Sequence, residues 1–301
     1  MKLLLNGVQM EGQEAVVSVY DHGFLYGMGL FETFRTYGGR PFLLDRHLRR
    51  LADGCRELGI AYEPDEAVIR GQVAELLEAN GLEEAYIRFS VSAGEEALGL
   101  PAGAYTRPNV VMYMKELPVL PAGARFKGKP LQLLQVLRNT PEGDIRLKSF
   151  HYMNNIGAKR ELLGYPWAQG AEGLFLDGRG FAAEGIVSNL FLVRHGVLCT
   201  PHLNTGILSG ITRAFVMELA SGIGLPVEEG WYRWDDVVAA EEVFITNSIQ
   251  ELVPIDVRYD RTGKAFPVGE GAGEEEGAGP WTRRLIEAYQ RCTAESEGGS
   301  R

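Results

Sequence analysis

Three short stretches hold residue types that could act together on one substrate. "RLKSFHYMNNIGAKRE" (146–161) places Lys148 ahead of Ser, Phe, His and Tyr, "AAEGIVSNLF" (182–191) carries Glu184, and "SGITR" (209–213) enters a helix from a glycine. Each is weak alone, since a lone lysine is ordinarily a solvated charge and a glycine-opened helix is ordinarily just a helix. As a set they have a specific chemistry. A lysine amine kept neutral adds to an aldehyde, a carboxylate keeps a pyridine nitrogen protonated, and helix-start amides with nearby hydroxyls and an arginine receive a phosphate. Those are the requirements for holding pyridoxal 5'-phosphate.

The elements that must position these groups can be read from turns and periodicity. "LLLNGVQM" predicts a hairpin through Asn6-Gly7, and "LFETFRTY" (30–37) a further strand in which Glu32 and Arg35 fall on opposite faces. That strand is either an edge strand with one wet face or a wall of the site. Leu48, Leu51, Cys55 and Leu58 recur at helical spacing, as do Ile69, Val73, Leu76 and Leu77 between Asp65 and Gly81. "AYIRFSVSAG" and "NVVMYMKEL" return to strand character. Residues 1–118 thus predict a small α+β domain, 119–130 a Pro/Gly-rich connector, 131–294 a larger domain mixing strands and helices, and 295–301 a flexible tail. Within the larger domain, Ile211, Phe215, Leu219 and Ile223 form one helical stripe; residues 269–279 predict a flexible acidic loop, and Pro280 the first turn of a last helix.

Composition narrows the function classes. With 301 residues and 45% hydrophobic content the chain is an ordinary globular protein of two-domain size. A net charge of −10, with no Lys/Arg-rich run, disfavours nucleic acid as a partner. No apolar run approaches the length of a signal or membrane segment, so a cytoplasmic location and no membrane association are expected. The three cysteines lack CxxC spacing and the five histidines form no ligand pattern, so neither a metal nor a disulfide framework is expected.

The same stretches, with others in order, give the chain its resemblance to a known family. "VYDHGFLYGMGLFETFR", "RHLRRL", "YIRFSVSAG", "RLKSFHYMNNIGAKRE", "AEGIVSNLF", "TGILSGITR", "FITNSIQELVP" and "GPWTRRL" together resemble the fold-type IV pyridoxal-phosphate enzymes, the class-IV aminotransferases, over nearly the whole length. Within that family "DHGFLYGMGLFETFR", "RNTPEGDIRLKS" and "TNSIQELVP" look most like the bacterial 4-amino-4-deoxychorismate lyases. The resemblance implies a two-domain α+β and α/β architecture with the cofactor at the domain interface, a small-molecule substrate and a homodimer.

It also implies roles. Lys148 matches the Schiff-base lysine and Glu184 the carboxylate at the pyridine nitrogen. Tyr152 matches a position that hydrogen-bonds the ring's phenolate oxygen in several members, with a core tyrosine as the bland reading. Arg50 matches the phosphate arginine, Ile211 and Thr212 the helix-start contacts, and Ser248 with neighbouring Asn247 the second hydroxyl contact. Tyr26 and Arg88 match substrate-side positions in some relatives. Phe31 stands where D-amino-acid transaminases of the family carry a tyrosine, and "AGEEALGLPAG" lacks their Arg-x-His element. The missing element weakens D-amino-acid transamination, and Phe31 is closer to the lyase and branched-chain patterns; the resemblance as a whole implies a lyase yielding 4-aminobenzoate and pyruvate. A branched-chain or D-amino-acid aminotransferase is the alternative, and a non-catalytic cofactor-binding protein a more distant one.

Overall fold

The computed structural model describes residues 1–118, 121, 123–268 and 277–298; the side chains of 296–298 are left aside. Residues 269–276 of the expected acidic loop, 299–301 of the expected tail and 119, 120 and 122 of the expected connector lie outside the described residues, whereas 295–298, expected as the start of a flexible tail, continue the last helix. The chain forms two compact units: Met1–Pro118 with Leu147–His151 and Cys292–Arg301, and Val119–Arg146 with Tyr152–Arg291. A sequence boundary at 119–130 puts Lys148 with the second domain, whereas the fold returns its pentapeptide to the first. The reason is backbone pairing across more than a hundred residues of sequence, which no local pattern encodes.

The first unit is built on an antiparallel sheet. Its elements are β1 (Lys2–Leu5), β2 (Val8–Glu11), α1 (His22–Tyr26), β3 (Gly29–Tyr37), β4 (Arg40–Pro41), α2 (Leu44–Glu57), α3 (Glu66–Asn80), β5 (Ala85–Ser92) and β6 (Asn109–Glu116). The strands run in the order β2-β1-β6-β5-β3-β4. Asn6 and Gly7 take left-handed φ values of 51° and 80°, the geometry of the tight hairpin that joins β1 to β2. One sheet face buries Phe34, Ile87, Phe89, Met112 and Met114 against Leu48, Leu51 and Cys55 of α2 and Ile69, Val73 and Leu76 of α3. Asp65 caps α3 through the Val68 amide, and Gly81 ends it with φ 65°.

At the start of β3, Phe31 N–H donates to the Lys148 carbonyl at 2.9 Å and Phe150 N–H to the Gly29 carbonyl at 3.0 Å. Residues 147–151 therefore lie along β3 as a short added strand, with Leu30 opposite Ser149.

The second unit contains β7 (Lys129–Leu133), α4 (Met153–Leu163), β8 (Glu172–Leu176), β9 (Ala182–Gly185), β10 (Asn189–Arg194), β11 (Val197–Pro201), α5 (Ile211–Gly222), β12 (Val227–Gly230), α6 (Trp234–Ala239), β13 (Glu242–Asn247), β14 (Glu251–Tyr259), β15 (Ala265–Pro267) and, up to Arg291, the leading part of α7 (Pro280–Gly298). The sheet order is β12-β11-β10-β13-β14-β7-β8-β9, with β15 on β14. A further pairing of β9 with β10 sets Asn189 opposite Glu184 and closes six strands into a ring. Leu131, Leu174, Leu190, Leu192, Val243, Ile245 and Ile255 fill the core. Pro280 opens α7 as its spacing predicts, and the Glu242 carboxylate accepts from the Trp281 and Thr282 amides to cap it.

The expected stripe of α5 is displaced by one residue. The buried line is Thr212, Val216 and Ala220, together with Arg213, while Ile211, Phe215, Leu219 and Ile223 are half-buried beside it. Arg213 is held under the helix by the Glu229 carboxylate and the Pro201 carbonyl, so a charged side chain occupies a position that hydrophobicity assigns to solvent. Among the described residues no helix is long and apolar enough to cross a membrane.

Candidate active site

Lys148 lies beside a buried charge cluster made by β3 and α2. Glu32 is 1% exposed. Arg50 grips it side-on, with Nε to Oε1 at 2.8 Å and Nη2 to Oε2 at 2.6 Å, and His47 Nδ1 donates to Oε2 at 2.7 Å. His47 and Arg50 are three positions apart, so one helix face presents both to the strand. Burial alone would raise the Glu32 pKa, but Arg50 and the hydrogen bonds from His47 and Arg50 outweigh it and bring the carboxyl down to about 2. Burial lowers the His47 imidazole, against the opposing pull of Glu32.

The Lys148 ammonium stands 4.4 Å from the centroid of the Phe31 ring, and the Arg88 guanidinium 3.5 Å from the same centroid. Lys148 is half-buried as a residue, yet loss of water around its amine is the largest influence on it. Arg50 and Arg88 push in the same direction while Glu32 and Tyr86 oppose, and the net result is an amine brought down to about 8. Such an amine is partly neutral at physiological pH, as a nucleophile or base must be. Tyr26 closes α1 and its hydroxyl accepts from the Gly99 amide at 3.1 Å, tying down the loop after β5.

In the second unit Glu184 is buried, at 4% exposed. Arg138 Nε donates to its Oε1 at 2.8 Å, with Arg146 Nε 3.9 Å from the same oxygen. On Oε2 it accepts from the Leu208 amide at 3.0 Å and from Asn189 Nδ2 at 3.3 Å. Three hydrogen bonds leave room for one more donor, since an ionised carboxylate offers about four acceptor sites.

The start of α5 lies in the same unit as Glu184. Its N-cap is Gly210, with no side-chain cap, so the leading amides of Ile211 and Thr212 donate to no N-cap side chain. A Cβ at Gly210 would come 2.0 Å from Asn189 Oδ1, so only glycine lets this turn approach the Glu184 cluster. Thr212 Oγ1 and Ser248 Oγ are 3.2 Å apart. Asn247 shapes its own turn, its Oδ1 accepting from the Ile249 and Gln250 amides. The neighbouring Thr246 hydroxyl is buried without a hydrogen-bond partner among the described residues. Tyr152 is half-buried and sits at the N-cap position of α4.

The residues expected from sequence thus fall into two sets: Lys148, Arg50, Phe31, Arg88 and Tyr26 in the first unit, and Glu184, Ile211, Thr212, Asn247, Ser248 and Tyr152 in the second. A carboxylate with spare acceptor capacity beside a glycine-opened helix start with paired hydroxyls fits a pyridine nitrogen and a phosphate. Sequence reasoning missed Arg138, Arg146 and Asn189, which hold Glu184, and His47 as the partner of Glu32. Arg138 is 46 residues from the carboxylate it pairs with, a separation that carries no periodic signal.

A family model of the class IV amino-transferases matches residues 29–257. An aminodeoxychorismate lyase of Bacillus subtilis (strain 168) is 42% identical over 254 residues, spanning 84% of this chain and 85% of that protein. A solved 4-amino-4-deoxychorismate lyase from Pseudomonas aeruginosa is similar with a TM-score of 0.79 at 30% identity, over 96% of this chain and 98% of that one. The T.th. branched-chain amino acid aminotransferase, solved with pyridoxamine 5'-phosphate, is similar with a TM-score of 0.83 at 28% identity, over 98% of this chain and 94% of that one.

Proposed function

The chain belongs to the class IV aminotransferase family, and on that premise we propose that it is a pyridoxal-phosphate-dependent lyase that converts 4-amino-4-deoxychorismate to 4-aminobenzoate and pyruvate. The similarity to the bacterial aminodeoxychorismate lyase over five-sixths of the chain carries this reading. The residues fit the cofactor in kind. Thr212, Ser248, the α5 amides and Arg50 would take the phosphate, Glu184 the pyridine nitrogen, Tyr152 the ring hydroxyl and Lys148 the aldehyde carbon. Bound pyridoxal phosphate supplies an electrophilic carbon for the substrate amine and a ring that accepts the electrons of a broken C–H bond.

The chain's own part is proton transfer and electrostatics. Lys148 Nζ, neutral in a useful fraction of molecules, takes the proton from substrate C4. The bond from the ring carbon to the ether oxygen then breaks, leaving an aromatic product. As an ammonium, the same amine can give its proton to the methylene of the departing enolpyruvyl group, which completes pyruvate. Arg138, Asn189 and the Leu208 amide all donate to Glu184 and hold its carboxylate in place. Arg88, over the Phe31 ring, offers a guanidinium for a substrate carboxylate. We also propose a cytoplasmic homodimer, to be checked by light scattering at twice the chain mass.

The deciding assay feeds aminodeoxychorismate to the purified enzyme and follows 4-aminobenzoate and pyruvate in equal amounts. Absence of both, together with loss of the visible cofactor band on adding a branched-chain or D-amino acid, would replace the lyase by an aminotransferase. That second reading has the similarity to the branched-chain enzyme in its favour.

A further inference from the structure

The mechanism above leaves unused a carboxylate that is as deeply buried as any in the first unit. Glu32 projects from β3 toward α2, where Arg50 holds both of its oxygens and His47 shares one of them. The Lys148 amine and the Arg88 guanidinium share the Phe31 ring, and the Phe31 amide next to Glu32 donates to the Lys148 carbonyl. Among the described residues, the charged and titratable groups that act on the amine include Arg50 and His47 from α2, Glu32 from β3, and Arg88 and Tyr86 from β5, so that in the cofactor-free chain Glu32 offsets two guanidinium groups.

We propose that Glu32 is a positioning residue for Lys148: by clamping Arg50 and balancing the cations around the amine, it keeps Lys148 able to carry a proton as well as to take one. This rests on the lyase reading, in which one amine must first be a base and then an acid. Without the carboxylate, Arg50 and Arg88 would both repel a proton on Lys148. The base form would be favoured, and the return of the proton to the enolpyruvyl carbon would suffer. With the carboxylate present, both forms lie within reach near neutrality.

The test uses the holoenzyme and reads the pH titration of its visible cofactor band without substrate, beside the pH profile of kcat. Glu32→Gln should move the spectral midpoint and the ascending limb to lower pH by about one unit, the scale on which a neighbouring charge acts. Glu32→Asp, which restores the charge, should return both toward wild type. An unchanged or upward-shifted midpoint in Glu32→Gln overturns the proposal. If that variant does not fold, Arg88→Gln carries the converse demand, since losing one of two cations with Glu32 in place must raise the midpoint; no rise overturns it equally. The two readings fail separately. A wild-type protein with the visible band but no turnover of aminodeoxychorismate sinks the lyase while the titration still judges Glu32, and turnover with an unmoved titration sinks only Glu32.

Discussion

An ammonium group cannot take a proton, so the first demand on Lys148 is that it shed its own. Withdrawal from water and the nearby Arg50 charge bring it to about 8, where about a tenth of molecules carry a free amine at pH 7. An ordinary lysine would offer fewer than about one in a thousand. In the cofactor-free protein, amine labelling of Lys148 followed by peptide mass spectrometry should rise with pH to a midpoint near 8, and a midpoint above 10 would contradict the burial argument. Lys148→Ala should abolish the visible cofactor band and lower turnover by at least about 10²–10⁴-fold, the usual share of a positioned base; an unchanged spectrum would remove the lysine from the chemistry. Glu184→Ala should keep the cofactor and slow proton abstraction. It should also cost on the order of 3–5 kcal/mol of stability, because Arg138 would be left buried without its carboxylate. Near-wild-type turnover in that variant would contradict an electrostatic role for Glu184.

At the scale of elements, the position of Lys148 depends on how closely its segment can approach β3. Gly29 makes that approach possible: a Cβ there would lie 2.3 Å from the Phe150 ring. Gly29→Ala should therefore push 147–151 off the strand, costing about 1–3 kcal/mol as overpacking does and lowering turnover with it. Gly71, inside α3 with nothing within 4 Å of a Cβ, is the matched control. There Ala should raise the melting temperature, by about 0.5–1 kcal/mol of stability, since it only restricts the unfolded chain and improves helix propensity. A thermal melt of both variants checks the pair, and equal effects would mean that Gly29 is not a packing constraint. The contrast also explains what sequence could convey. Asn6-Gly7, Asp65, Gly81 and Pro280 act on their immediate neighbours, and each ends or starts an element where their chemistry predicts. The line of α5 slipped by one residue because Arg213 is buried by partners on β11 and β12, which helical periodicity cannot see.

Over the whole molecule the same division holds between local and distant information. The candidate site was legible wherever a motif carried a reacting group, as at Lys148, Glu184 and Thr212, and illegible wherever a partner came from far along the chain, as Arg138 does for Glu184. The most consequential distant pairing is that of 147–151 with β3. It means that residues 1–118, although they contain six paired strands and two covering helices, do not hold every backbone group that completes their own sheet. Without the segment, the Phe31 amide and the Gly29 carbonyl lose their partners and Leu30 loses the residue opposite it. An edge in that state invites pairing with another chain. Expressed alone, residues 1–118 should therefore be less stable than the same residues in the full chain and prone to associate, with amides at the start of β3 exchanging hydrogen faster than those of β5. Hydrogen exchange with size-exclusion chromatography measures both. A monomeric fragment with full protection at Phe31 would show that the first unit is complete without the strand that carries its lysine.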